Sequence, residues 1–454
     1  MANRNKRFKK EEDQSQNTRG VYTSHLPELV INRIVSHLST KNVVKASILS
    51  KEWASVCSSV LVLDIDEDEG NEQRDDHKKQ RREFRKFLTS CLKIFEKQKY
   101  LEKFRLRMRY LGAADSTIYK SVSFALERNV KELDICFKRE IKGTNCKYFC
   151  LHQTALNNAK SLIILKLENL NMKEDSIDII SFPSLKTMSL KGVRFNTSTG
   201  FSRLYSGCPS IECLSLTLCH GWNVRLSGSR LKHLEIMSCE IKLRVEATNL
   251  ESFKFRGDRG FRRHIIDMHK SFYIASCQTL RSLEFSHTHF PIEWFKGLDS
   301  RFPYLERLVL DTCFCHSGII NISSQNLKSL GFHECGNNLF NFSLNAPNLS
   351  EATITIEQRS HYDRLRCFLG NFGSCKKICL HVNEPEICIF PEEMRKKSSP
   401  LPGLQCLAVD IETVTTTAAH SALMDSLRWM APSLEFLSIN RKYHNSLQFV
   451  HSVV

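Results

Sequence analysis

The residues best equipped for chemistry in this sequence are its 18 cysteines and 17 histidines, and several stand close together. Cys313-Phe314-Cys315-His316, Cys219-His220, and Cys146 and Cys150 with His152 bring thiol and imidazole groups within a few positions of one another. A structural zinc ion needs four such ligands, as a rule in two well-spaced pairs. Cys219 and Cys313 instead recur at one fixed place in a repeat, so packing accounts for them and no metal is expected. Asp64, Asp66 and Asp68 alternate as in a calcium loop, but such a loop needs glycine at its sixth position, where Glu69 stands. No G-x-x-x-x-G-K-[ST], G-x-S-x-G, H-E-x-x-H or G-x-G-x-x-G pattern occurs. The sequence therefore offers no catalytic constellation and calls for no cofactor.

The elements that would position any site follow two grammars. From Leu101 onward one pattern returns: apolar, two residues, apolar, one residue, apolar. Clear copies start at Leu162, Leu185, Ile211, Leu231, Leu250, Leu280, Leu305, Leu327, Leu404 and Leu434, and weaker ones at Leu101, Val130, Leu349 and Cys375. The mean step is about 26 residues, inside the period of leucine-rich repeats, though the individual steps are uneven. Three positions past the last apolar residue stand Cys219, Cys239, Cys313 and Cys335, where such repeats bury Asn or Cys under the turn leaving the strand. Prolines at 183, 209, 303 and 347 sit just ahead of strands, where they end the preceding segment. Strands of such a solenoid line a concave face, and the residues between the apolar positions point outward from the core. His233, Glu235, Lys254, Arg256, Glu284, Arg307, Asp311 and His333 are the candidate contacts for a bound protein. Lys254–Arg263 is the most basic stretch of the array and reads as an exposed loop.

Residues 23–63 read differently. Leu26-Pro27 opens a helix, with Pro27 expected at its first position. Val30, Ile34 and Leu38 recur every four residues, with Ile31 and Val35 beside them. A second helix would carry Val43, Val44, Ala46 and Leu49, and a third Trp53, Val56 and Val60. Three short helices bury little surface alone, so this module is expected to complete its core against a partner. Residues 64–100 read as a charged linker, DIDEDEG then HKKQRR, with a helix leading into the array over 101–454.

Net charge is +16, spread along the chain. Hydrophobic residues make up 41% and charged residues 25%, ordinary for a core-forming protein. No stretch is apolar enough for a membrane span. The polar N-terminus, with five basic residues in Arg4–Lys10, fits a disordered basic tail over 1–22 and a nuclear or cytoplasmic protein. In a reducing compartment the cysteines behave as small buried apolar residues.

The segment Ser24–Val56 resembles the F-box of plant F-box/leucine-rich-repeat proteins of the FBD-associated kind. The shared features are Leu26-Pro27, the apolar run Val30 to Leu38, Thr40-Lys41, Ser47 to Lys51 and Trp53. Phe182–Phe195, Gly207–Leu216 and Ala346–Ile354 are similar to that family's repeats. Leu29, Ser39, Glu52 and Val56-Cys57 depart from its usual pattern, and no clear copy of the C-terminal FBD domain of many relatives is visible. The resemblance implies an α/β solenoid behind a small helical F-box, acting as the substrate-recognition subunit of an SCF-type ubiquitin ligase. By it, Leu26, Pro27, Val30, Ile34, Leu38, Val43, Val44, Ser47, Leu49, Ser50 and Trp53 bind a Skp-type adaptor, which brings cullin and RING subunits, while the repeats hold an unknown protein substrate. The chain itself then changes no bond. The other readings are a scaffold without ligase function, or a basic solenoid on nucleic acid. The net charge favours the latter and the lack of a basic-aromatic stacking motif opposes it.

Overall fold

The computed structural model describes residues 26–69, 77–110, 116–138, 148–152, 156, 159–173, 181–257, 272–274, 277–290, 292–315, 320–333, 342–357, 361–413, 417–443 and 446–453. The described residues begin with three short helices, α1 (Glu28–Val35), α2 (Thr40–Ala46) and α3 (Lys51–Ser58). Pro27 is the N-cap of α1 rather than its first helical residue, and its carbonyl accepts from the N–H groups of Val30 and Ile31. Ser39 caps α2 by backbone geometry, and the Ser50 hydroxyl accepts from Trp53 N–H to cap α3.

The reading of residues 64–69 as solvated linker is corrected here. Val62–Asp66 forms a strand, β1, that pairs in parallel with β2 (Lys103–Arg109). Leu63 and Ile65 are fully buried on one face of β1, while Asp64 and Asp66 project from the other. The acidic residues are matched from strands far along the chain. Arg105 lies 2.7 Å from Asp64, Lys138 lies 2.6 Å from Asp66 and 2.9 Å from Asp68, and Arg109 lies 3.1 Å from Asp68. The buried Glu67 carboxylate accepts from Arg109 N–H at 2.6 Å. Partial burial would raise the Asp66 carboxyl, but the Lys138 ammonium and the Asp68 N–H hold it below the ordinary carboxylate range. The helix α4 (His77–Ile94) leads into β2, burying Phe84, Leu88 and Cys91 at helical spacing.

Behind β1 and β2 the array is one long sheet. Strands at 132–138, 164–168, 187–191, 213–217, 233–237, 252–256, 282–286, 307–311, 329–333, 351–356, 377–382, 406–411 and 436–443 follow in chain order, each parallel to the last. A closing strand, Ser446–Val453, pairs antiparallel. Each of the fourteen repeat copies starts two residues ahead of one of these strands. The first apolar residue is therefore the step into the strand, and the next two are its inward-facing pair. Leu162, Leu165 and Leu167 are at most 1% exposed, as are Leu305 and Leu308, with Leu310 at 2%.

The chain leaves many strands through a residue in the left-handed region: Asn169, Gly192, Leu218, Ser238, His287 and Thr312. That turn sends the chain to a second layer of short parallel strands, among them 220–226, 240–245 and 272–274. Cys219 and Cys239, directly after the turn, are buried. The Cys219 thiol lies 3.3 Å from the Thr217 carbonyl, and Cys219 N–H points at the Cys239 sulfur at 3.4 Å. Cys335 lies outside the described residues. Helices Ser116–Glu127, Tyr362–Gly370 and Thr417–Met430 serve as crossovers. Among the described residues no helix is long and apolar enough to cross a membrane.

Candidate functional site

Two surfaces are arranged for binding. The first is on the helical module. Ile31, Val35, Val43, Trp53, Val56 and Cys57 turn inward and join the core of the repeats without a break. The seam is polar as well as apolar: Asp64 N–H donates to Thr40 Oγ1 at 2.8 Å, and Lys41 Nζ donates to the Glu69 carbonyl at 3.0 Å. The module thus closes its core on β1 and needs no partner for that purpose. What it leaves outside is a second set of apolar side chains. Leu29 and Ile48 are each 83% exposed, Leu49 57%, Val30 42% and Ile34 37%.

This sorts the residues named from sequence. Val30, Ile34 and Leu49 are on the open surface with Pro27, while Leu26, Leu38 and Val44 are half-buried against the core. Val43 and Trp53 face the interior. Ser47 donates to the Val44 carbonyl at 2.7 Å, and Ser50 serves as a cap that also donates to Glu52. The stripe read as Val30–Ile34–Leu38 is therefore split from the Ile31–Val35 pair, which faces inward. Leu29, Ile48 and the buried Cys57 were not among the candidates. The signal for Leu29 was present in the sequence, as an apolar residue where related modules carry an acid.

The second surface is the outward face of the long sheet. Near β2 its charges interlock, with Glu132 within 3.1 Å of both Lys103 and Lys166, and Glu168 2.7 Å from Lys191. In mid-array the outward residues shrink to Ser189 and Ser215, which opens a notch of about 250 Å³ lined by His233, Glu235 and Lys254. Glu235 accepts from Ser215 and Lys254 is paired with Glu284 at 2.9 Å. Arg256 is half-buried at the edge of this region and Arg307 is exposed farther on. Residues 258–263 of the basic stretch lie outside the described residues.

Asp311 and His333 sit in direct register on adjacent strands. His333 Nδ1 is 2.9 Å from Asp311 and Nε2 is 2.9 Å from Glu357. The hydrogen bond to Asp311 leads in raising the His333 pKa to about 9, against the pull of partial burial and with help from Glu357. Burial works the other way on Asp311, yet His333 and Thr312 hold its carboxyl well below the usual range. Nine of the described thiols are buried in the core, and burial pushes Cys91, Cys208, Cys375 and Cys388 among them up to about 12. One group among the described residues gathers metal-type donors on the outward face, Cys379, His381 and Asp410, whose donor atoms lie within 4.8 Å of one another.

A three-helix module closed onto a solenoid of parallel strands is the architecture of an F-box protein with leucine-rich repeats. Residues 23–64 match the F-box domain, and residues 122–264 match the repeats described as "FBD-associated F-box protein At5g56370, LRR repeats". The chain's relatives include Arabidopsis thaliana proteins. The putative F-box/FBD/LRR-repeat protein At1g66290 is 28% identical over 59% of this chain and 50% of its own length. The FBD-associated F-box protein At4g10400 is 25% identical over 74% of this chain and 78% of its own. The chain thus spans only about half the length of some of these relatives. The chain combines an F-box with leucine-rich repeats of the FBD-associated kind.

Proposed function

We propose that this chain is the substrate-recognition subunit of an SCF-type ubiquitin ligase, acting in the nucleus or cytoplasm. The F-box would dock on a Skp-type adaptor and, through it, on cullin and RING subunits, while the outward face of the repeats holds the target. The observation that carries this reading is the exposed set Leu29, Val30, Ile34, Ile48 and Leu49 on a module whose own core is already closed. Large exposed apolar residues with no folding task mark a contact surface. Ubiquitin transfer would then depend on tethering: a target held near the charged conjugating enzyme meets it at high effective concentration.

The nucleic-acid reading has less support. Lys103, Arg105, Lys166, Lys191 and Lys254 on the front of the sheet each lie within 3.1 Å of a carboxylate, which competes with phosphates for those cations.

The test is a double substitution, Val30→Asp with Ile34→Asp, at positions that leave the core intact. Adaptor capture should fall at least about tenfold while the melting temperature stays within about 2 °C of the parent. Undiminished capture would refute the docking face. Salt-sensitive retention on a polyanion, with no adaptor bound by the parent chain, would favour the basic-solenoid reading.

A further inference from the structure

We propose that Cys379 is an activated thiol on the outward face of the repeat sheet, tuned by His381 and Asp410 to add to soft carbon electrophiles such as conjugated carbonyl compounds. Cys379 and His381 are two residues apart on one strand, so both side chains leave the same face of the sheet. Asp410 is the direct register partner of His381 on the next strand, and the partner of Cys379 there is the small Ala408. The three groups form a chain. The Cys379 sulfur is 3.5 Å from His381 Nε2, His381 Nδ1 is 2.9 Å from Asp410 Oδ2, and Asp410 Oδ1 accepts from Asn440 Nδ2 at 2.7 Å.

That order of contacts decides the chemistry. A carboxylate on Nδ1 fixes which ring nitrogen carries the proton and leaves Nε2 facing the thiol as its acceptor. The same three donor atoms lie within 4.8 Å of one another, so a zinc ion is the rival occupant, and it would have to compete with Asn440 for the carboxylate. Cys379 is half-buried, unlike the core thiols, so a small molecule can reach it.

The step balances without an outside oxidant. The thiol proton passes to His381 Nε2, and the sulfur forms a bond to the β-carbon of the conjugated carbonyl. The carbon–carbon π pair moves to the carbonyl as an enolate, and the enolate takes the proton back from His381. Asp410 is a positioning residue that steadies the transient imidazolium. The other charged groups on the strands at 351–356, 377–382 and 406–411 and at their ends are Glu351, Glu357, Lys376, Lys377 and Glu412. None of this depends on adaptor docking, so it stands or falls apart from the ligase reading.

The experiment treats the full-length chain with limiting N-ethylmaleimide at pH 7 and follows each cysteine by peptide mass spectrometry. Cys367, which is exposed, is the internal reference. Cys379 should label about tenfold faster than Cys367 despite its lower exposure, a factor equal to about one unit in thiol acidity. His381→Ala should bring Cys379 down to the Cys367 rate or below, with Cys367 unchanged. Asp410→Asn should move the midpoint of the Cys379 rate–pH curve upward, a shift that a mere packing defect would not give. Cys379 labelling no faster than Cys367, or a rate indifferent to His381→Ala, overturns the proposal. Slow labelling with stoichiometric Zn2+ binding overturns it in favour of a metal site.

Discussion

At the scale of single residues, His333 holds a proton between two carboxylates, and its raised pKa of about 9 makes stability depend on pH in a defined direction. A histidine whose folded pKa lies above its unfolded value of about 6.5 contributes its full share below that value. The contribution fades as pH rises through about 9. Urea unfolding at pH 6.5 and pH 9.5 should show a loss in the parent that His333→Gln removes. Because the side chain is 33% exposed, solvent screening keeps the difference to about 1 kcal/mol or less. The turns that leave the strands give a second, opposed pair of expectations. Leu218 holds a left-handed φ of 53° that a branched side chain adopts at a cost of roughly 1 kcal/mol. Asn129 and Asn169 hold the same conformation more easily, so Leu218→Asn should stabilise the chain by about 0.5 kcal/mol in urea titration. At Gly257 the constraint is space, since an added methyl would lie 2.1 Å from the His287 carbonyl oxygen of the next repeat. Gly257→Ala should cost about 2 kcal/mol, as overpacking against rigid backbone does.

Among the elements, β1 shows what a linear pattern reveals and what it conceals. All fourteen repeat strands were legible because a parallel sheet covered on its inner face demands the same buried triplet each time. The alternation of Leu63 and Ile65 with aspartates was also visible, but the surrounding acids made the segment read as solvated. Its cations, Arg105, Arg109 and Lys138, come from strands 41 to 72 residues away, and no local reading supplies them. The F-box was legible as helices because apolar spacing sets helix type. Which apolar residues face inward was not, since Ile31 and Val35 are chosen by the packing of α3 against α1 rather than by α1 itself. The Cys379–His381 pair carries no signal in the linear sequence, because Asp410 joins it only through sheet register. If the acids of β1 are bound by those pairings, replacing Asp64, Asp66 and Asp68 together by Asn should cost on the order of 1–3 kcal/mol. The loss should appear as faster amide exchange in Val62–Asp66. Because the Asp66 carboxyl is held below its ordinary range, the parent should show the same local loosening as pH falls below about 4. Unchanged exchange in the triple variant would mean that Leu63 and Ile65 alone secure the strand.

For the whole molecule, the F-box has a structural duty besides the docking proposed for it. A solenoid of parallel strands buries each repeat only against its neighbours, so its first strand presents an unpaired edge and an uncovered end of the core. Here β1 fills the edge beside β2, and α2 covers β1 in turn through the Thr40 hydroxyl on Asp64 N–H. The apolar residues of α1 and α3 run into the same continuous core as the repeats. The module is therefore the N-terminal cap of the array. Removing it is not equivalent to deleting a tethered binding unit. A chain beginning at residue 77 would expose the Lys103–Arg109 edge together with the core side chains Phe104 and Leu106, which β1 now covers. It should melt several degrees below the full chain and self-associate on size-exclusion chromatography, while Val30→Asp with Ile34→Asp stays monomeric and as stable as the parent. A truncated chain that remains monomeric at the parental melting temperature would show that the repeats cap themselves. Agreement with expectation would mean that loss of target binding in F-box deletions reports a damaged solenoid as well as a lost adaptor, and that only surface substitutions on α1 separate the two.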